Sequence, residues 1–403
     1  MIPRNVRKQE TIVLFNGQSQ YDVLRYFIAD MAVGFRTLGY HVTIIDLLKE
    51  NWLKELQKTI NEMDILFFFS MNGMAIDLKI GDKSLYDQLN IPFFAFFVDH
   101  PMYQLPRLNA GVKNLIVSCV DQKHIEFLNK YMQGDYSKVF IPHGSSNGDF
   151  PSQEQVPLVP IIDREIDILF TGTYANPESY RNEWRSLNKH VAELFDDIAE
   201  VALSQNEKTM VEIAEETLSS RGIDSIYMHH GNFWSTLVQV DLYNRTVKRR
   251  EVVTKLAQLP VRFEIYGNGW DELQITNNTT TFHPFVSFEM AQEKMRNSKL
   301  VLTILPSFTS GGHERVFSSM LHGAVSMVNR NIYFEKHFKD RDSILLYDFG
   351  TDIQGTAASM LDDLPLMQQV ADGGRESALE RHTWKQRAEE IIKHVQYHKF
   401  FTS

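Results

Sequence analysis

Cysteine is all but missing from this chain: Cys119 is the only one in 403 residues. An intrachain disulfide and a thiolate zinc cluster are therefore excluded, and nothing points to an oxidising compartment. Cys119 itself lies in the apolar run LIVSCV and reads as a buried, inert thiol. Long apolar runs are also lacking, since no stretch reaches the roughly 18 to 20 residues that span a bilayer. The amino terminus, MIPRNVRKQE, is polar and has no signal-peptide core, so the expected location is cytoplasmic. Excess positive charge is the third absence. Lys and Arg number 41 against 51 Asp and Glu, a formal net charge of -10, and no basic stretch is dense enough to grip a polyanion. No nucleic acid is expected as a partner. For a membrane, only a weak peripheral contact through Lys248, Arg249 and Arg250 is left.

What is present is the balance of a globular protein, 43% hydrophobic and 23% charged, at a length that exceeds one core and implies two domains. An apolar run from Thr11 to Phe15 is closed by Asn16 and Gly17. An amphipathic stretch from Tyr21 to Leu38 follows, then Gly39 as a helix stop and HVTIID as a second strand, which makes a βαβ unit. DILFFFS (64–70), IPFFAFFVD (91–99), NLIVSCV (114–120) and KVFIPHG (138–144) continue the series. Their apolar residues are consecutive, which predicts burial on both faces of a parallel sheet. Residues 1–150 thus read as one Rossmann-like domain and 151–165, rich in Ser and Pro, as a linker. A second series, IDILFTGTY, VRFEIYGNGW, TTTFHPFV, KLVLTILPS and GAVSMVNR, makes 166–380 a second such domain. A helical insertion at about 178–258 keeps Val191, Leu194, Phe195, Ile198, Val201 and Ala202 on one face and reads as a packing layer. A closing helix from about Thr383 to His398 has Trp384, Ala388, Ile391, Ile392 and Val395 on one face. The expected fold class is α/β, with two Rossmann-like domains.

In parallel sheets ligands bind beyond the carboxyl ends of the strands, which directs attention to the residues that end each run. Thr171, Gly172 and Thr173 offer two hydroxyls around a residue that lets backbone approach an anion, and they read equally as a turn. Gly267 and Gly269 in YGNGW bring main-chain N–H groups towards a ligand or make a tight turn; the full dinucleotide fingerprint is lacking. The fullest cluster is PSFTSGGHERVF. Gly311 and Gly312 permit a bend, the following helix start favours an anion, and Arg315 adds a fixed cation that suits a diphosphate. His313 can donate to, and Glu314 accept from, sugar or ribose hydroxyls. In the first domain Asp99 and His100 end a strand and could deprotonate a hydroxyl, or cap the next helix. His143 and Gly144 end another strand just before the linker, which puts them towards the interdomain cleft or in a hinge or packing role. No metal site is expected: the histidines are scattered, and Asp340 and Asp342 lie in a charged turn.

With FFVDHP at 96–101, IPHG at 141–144, DILFTGTY at 167–174, FEIYGNGW at 263–270, HPFV at 283–286, ERVFSSMLHGAVSMVNR at 314–330 and HTWKQRAEEII at 382–392, the sequence resembles the GT-B glycosyltransferases. Within them it is most similar to the branch of spore-maturation-protein-like glycosyltransferases. The resemblance implies two Rossmann-like domains facing across a cleft, the donor bound to the second, the acceptor to the first, and residues 381–403 crossing back to the first. It further implies a nucleotide-sugar donor, a glycan, protein or small-molecule hydroxyl acceptor, and no metal or other cofactor. Carried onto this chain, residues 171–173 and 311–315 meet diphosphate and sugar, and the region of His283 and Phe285 borders the base. The pattern departs at Ser310 and Ser318, where relatives commonly carry glutamate. The leading expectation is glycosyl transfer with Asp99 or His100 as base and Arg315 on the leaving diphosphate. A nucleotide-sugar epimerase and a catalytically silent nucleotide-sugar-binding protein are its rivals.

Overall fold

The computed structural model describes residues 10–19, 22–146 and 157–402. They form two compact units, Met1–Gly144 with Thr383–Ser403, and Ser145–His382. The expected linker lies outside the described residues at 151–156. Its remainder is no free connector, because Ile161–Asp163 forms a short 3-10 turn and the buried Arg164 guanidinium donates to the carbonyls of Val159, Ser298 and His322.

In the first unit, apart from a short antiparallel pair at Lys79–Ile80 and Lys83–Ser84, the main sheet is made of β1 (Glu10–Asn16), β2 (His41–Asp46), β3 (Asp64–Met71), β4 (Phe93–Phe97), β5 (Leu115–Cys119) and β6 (Ser137–Phe140). The six strands of the main sheet pair in parallel, in the order β2-β1-β3-β4-β5-β6. Phe67 to Phe69 and Phe93 to Phe97, the small Ala95 included, are entirely buried, so the consecutive apolar runs do fill both faces. Strand β6 stops at Phe140, short of the expected 144, because Pro142 has no N–H to give a ladder. Helix α1 (Val23–Thr37) buries Phe27, Ile28, Met31 and Phe35, and Gly39 in left-handed geometry (φ 91°) ends it. The C-terminal helix α2 (Trp384–Thr402) packs along α1, and Gly34 is the contact that permits it: a Cβ there would stand 2.9 Å from the Trp384 carbonyl oxygen. Cys119 is buried and its thiol is pushed up by burial.

The second unit has β7 (Ile166–Thr171), β8 (Phe263–Tyr266), β9 (Thr280–His283), β10 (Ser298–Thr303), β11 (Val325–Asn329) and β12 (Leu345–Tyr347), parallel in the order β9-β8-β7-β10-β11-β12. The three-residue β12 is too short to show in the sequence pattern. The insertion is four helices, Pro177–Arg185, Lys189–Ser204, Met210–Ser220 and the 26-residue α3 (Gly231–Leu256). Of the face expected on the second of these, Leu194, Phe195, Ile198 and Ala202 are buried.

Several histidines are enclosed without charge. Burial pushes His124 down to about 3 and His143 to about 4 in the first unit. In the second, burial with the arginines nearby takes His322 to about 4, against the opposing hydrogen bond to the Ser318 carbonyl. The unfolded chain takes up these protons near pH 6.5, so the folded state is favoured above that pH and loses stability as pH falls towards 4. Each is expected to cost about 1 kcal/mol between pH 7 and 5.5. Urea unfolding across that range checks this; a midpoint independent of pH would contradict it.

Candidate functional site

The order of the second sheet reverses between β7 and β10, and the crevice beyond their carboxyl ends is where a ligand is expected. Beyond β7 come Thr171, Gly172 and Thr173. Beyond β10 the chain runs through Ser307 to helix α4 (Glu314–Leu321). His313 caps α4, its Nδ1 accepting from the Arg315 N–H at 3.1 Å, and its ring meets Phe308 edge-on. Glu314 is buried and accepts from the Ser145 hydroxyl at 3.2 Å. Arg315, half-buried, has no hydrogen-bond or ion-pair partner for its guanidinium among the described residues. Burial lowers its pKa, Glu314 opposes the shift, and Arg245 adds to it.

Arg245 comes from α3, and with it come Asp241 and Arg249, one turn apart along the same helix face. Ser307 donates to the buried Asp241 carboxylate, the Arg249 guanidinium donates to the Thr173 carbonyl at 3.0 Å, and Arg245 lies 4.0 Å from Asp241. The insertion therefore sends two arginines and an acid to the strand ends, a role that its reading as a packing layer missed. The basic triplet is corrected as well. Lys248 is buried, donates to the Leu203 carbonyl at 2.7 Å and sits 5.0 Å over the Phe349 ring; Arg249 faces Thr173; Arg250 alone is exposed. It is not a membrane-facing patch.

The glycines fit the turn reading of these loops, and close packing requires Gly267, Gly269 and Gly312. Gly312 is not in the left-handed region; space requires it, since a Cβ would stand 2.5 Å from Phe317 Cζ. The N–H of Gly172 donates to the Tyr266 carbonyl and that of Gly267 to the His283 carbonyl. A Cβ on Gly267 would meet the Gly172 oxygen at 2.2 Å, and one on Gly269 the Tyr174 oxygen at 2.3 Å. These amides are engaged within the protein, and the glycines let three strand-end loops pack edge to edge. Trp270 Nε1 donates to the Gly172 carbonyl at 2.6 Å, and the Phe285 N–H to Asn268 Oδ1 at 3.2 Å. His283 stacks on Tyr266 at 4.3 Å, while the Tyr266 hydroxyl and Arg262 bond the buried Glu264. Burial raises the Glu264 carboxyl, but those hydrogen bonds outweigh it and leave it lowered. Phe285 is exposed at 40%, at the end of this rim. Ser318 is fully buried and Ser310 nearly so, which removes both from the accessible part of the site.

In the first unit Asp99 is exposed, and one of its oxygens, Oδ2, accepts from Asn72 Nδ2 at 2.8 Å. His100 caps a short 3-10 helix, its Nδ1 accepting from the Met102 N–H at 3.1 Å. Neutral His100 in that tautomer carries its proton on Nε2 and has no ring nitrogen left to accept one, and burial with His124 nearby holds its pKa well below the usual value. Of the two candidates only Asp99 keeps an acceptor atom, Oδ1, outside its hydrogen bond to Asn72. His143 is enclosed by Phe27, Phe96 and Trp384, and a Cβ on Gly144 would meet Trp384 at 2.9 Å, so both serve packing. Asp340 accepts from the Leu346 N–H at 2.8 Å, and among the described residues no group of three or more His, Cys, Asp or Glu side chains has metal-site geometry. No helix among the described residues is long and apolar enough to cross a membrane.

Residues 245–393 match a family described as glycosyl transferase-like. No curated protein matches the chain. Among solved structures it is similar to a sucrose-phosphate synthase from Thermosynechococcus elongatus, at 10% identity over 98% of this chain and 99% of that one, with a TM-score of 0.54. It is also similar to HepE of Anabaena in complex with UDP and glucose, at 12% identity over 96% and 99%, TM-score 0.53. A third is AviGT4, a glycosyltransferase involved in avilamycin A biosynthesis, at 12% identity over 96% and 97%, TM-score 0.51. At these identities the likeness establishes the fold: two six-stranded parallel-sheet domains in the GT-B arrangement of strands and helices, over nearly the whole chain.

Proposed function

We propose that this chain is a glycosyltransferase of the spore-maturation-protein-like branch that moves a sugar, a hexose or a relative of one, from a nucleotide-sugar donor to a hydroxyl acceptor. The observation that carries the reading is the Arg315 guanidinium near Arg245 at the strand ends of the second unit, with no hydrogen-bond or ion-pair partner among the described residues. The two cations are partly stripped of water and balanced only in part by Glu314 and Asp241, so a further anion that joins them lowers the energy of the protein. A diphosphate supplies that anion, and its negative charge grows as the sugar leaves, so cations already in position stabilise the transition state more than the ground state. With arginines in this role the reaction needs no metal ion. The matched glycosyl transferase-like family and the HepE complex with UDP and glucose support the donor class.

In the reaction the acceptor oxygen bonds the anomeric carbon, the bond from that carbon to the diphosphate oxygen breaks, and the electron pair leaves with the nucleoside diphosphate. The acceptor proton is assigned to Asp99, whose Oδ1 is outside the Asn72 hydrogen bond; this role belongs to an inverting course. Phe285 offers its exposed ring as a stacking surface for the base. A cytoplasmic site of action completes the proposal, in keeping with the donor class and the single buried cysteine.

A thermal-shift screen of uridine, guanosine, thymidine and cytidine diphosphate sugars tests it. The cognate donor at 100 times its dissociation constant stabilises by about 2.7 kcal/mol. No shift with any of the four classes would sink the proposal. The burial of Ser310 and Ser318 favours one second reading, a protein that binds the donor without turning it over. In that case the same donor shifts the melting point but releases no nucleotide on prolonged incubation with acceptors.

A further inference from the structure

The first sheet has its own reversal of strand order, between β1 and β3, and a pocket of about 360 Å³ opens there. Its walls come from the loops that follow β1, β2 and β3 and from the segment after β4, including Gln18, Leu47, Met74, Asp77, Pro106 and Arg107. The volume falls at the lower end of the roughly 300–1,000 Å³ of small-molecule sites. The loop that carries Met74 and Asp77 holds two non-glycine residues in left-handed geometry, Asn72 (φ 50°) and Ala75 (φ 64°). Such conformations persist where surrounding contacts impose them, and they concentrate at ligand sites. Here the contacts are visible: the Tyr86 hydroxyl donates to the Ala75 carbonyl, and Arg107 Nη1 donates to the Asn72 carbonyl at 2.8 Å.

We infer that this pocket is the acceptor subsite and that it takes one neutral saccharide unit, an inference that rests on the glycosyltransferase reading. Leu47, Met74 and Pro106 supply an apolar surface for the C–H face of a sugar ring. Asp77 is exposed, and its carboxylate has no hydrogen-bond or ion-pair partner among the described residues. Arg107 offers planar donors beyond the Nη1 already bonded to Asn72 and Gln104, and Gln18 both donates and accepts. A carboxylate and a guanidinium side by side match vicinal hydroxyls, each of which donates and accepts. The pair is also nearly neutral in sum, which disfavours an anionic phosphate and a cationic amine alike. Asn72 links the pocket to the proposed base: its carbonyl receives Arg107 and its side-chain amide holds Asp99.

The test uses the intact protein without donor, saturation-transfer NMR, and the methyl glycosides of glucose, galactose, mannose, rhamnose and N-acetylglucosamine, with UDP as a separate probe. At least one glycoside gives a signal, and Asp77→Ala or Gln18→Ala weakens it, the former by about tenfold. Both residues are exposed, and circular dichroism with the melting temperature checks that each variant is folded. UDP binding with no glycoside signal overturns the inference and leaves glycosyl transfer standing. An equal glycoside signal in wild type and Asp77→Ala overturns it too. A signal that Asp77→Ala weakens upholds the saccharide site even where UDP fails to bind.

Discussion

Arg315→Ala is expected to slow donor turnover about a hundredfold, roughly 3 kcal/mol of transition-state stabilisation, while the melting temperature of the ligand-free protein stays level or rises. The two effects have one cause. Within the chain the Arg315 guanidinium is half-buried, gains no hydrogen bond or ion pair among the described residues, and feels Arg245 as a like charge. In the free protein its desolvation is offset only in part, by the attraction of Glu314 and by no hydrogen bond, so removing it forfeits little. In the proposed donor complex the same cation would meet the diphosphate, and in the transition state that group would carry more charge. An arginine kept for structure behaves in the opposite way, with stability falling and any loss of rate following from it. Steady-state kinetics and thermal unfolding on the same preparation separate the cases. Turnover equal to wild type removes Arg315 from the mechanism.

Gly267→Ala should destabilise the second unit by about 3 kcal/mol or more, near the upper end of single substitutions. The added Cβ stands 2.2 Å from the Gly172 oxygen and 2.6 Å from its carbon, both backbone atoms, and the residue's φ of 149° is one that L side chains rarely adopt. Nothing there can give way cheaply. The Gly172 carbonyl accepts from Trp270, and its N–H is bonded to the Tyr266 carbonyl across the β7–β8 pair. For a unit of this size, 3 kcal/mol lowers the melting temperature by about 6–12 °C. Gly39→Ala is the contrast: φ is also positive, at 91°, but nothing lies within 4 Å of the new atom, so strain alone costs about 1 kcal/mol. Calorimetry on both variants decides between two uses of Gly267. If Gly267→Ala melted like the parent but lost donor affinity, an amide presented to the ligand would be its purpose after all.

These two positions mark how far the sequence could be read. The place of Arg315 at the start of a helix after an apolar strand was legible, because that is a local pattern. The glycines at 267 and 269 were legible as special but not in their role, because the partner that requires each of them lies almost a hundred residues away, at Gly172 and Tyr174. Asp99 and His100 looked alike as bases in sequence. A single hydrogen bond from the Met102 N–H distinguishes them, and it follows from the turn that Pro101 begins.

Arg245 and Arg249 were the largest omission. Helix α3 is buried around much of its circumference, with Asp241, Asn244, Thr246 and Lys248 enclosed beside Trp234, Leu237 and Val253, so it has no clean apolar stripe from which a functional face could be read. By itself the sequence determined the parallel α/β sheets, because runs such as FFAFF and KLVLT have enough consecutive apolar surface to demand burial on both faces. Which side chains share a site was decided only in three dimensions. Strand order sets which loops become neighbours, and an arginine acquires its function from the charges and carbonyls that distant segments bring within about 4 Å of it.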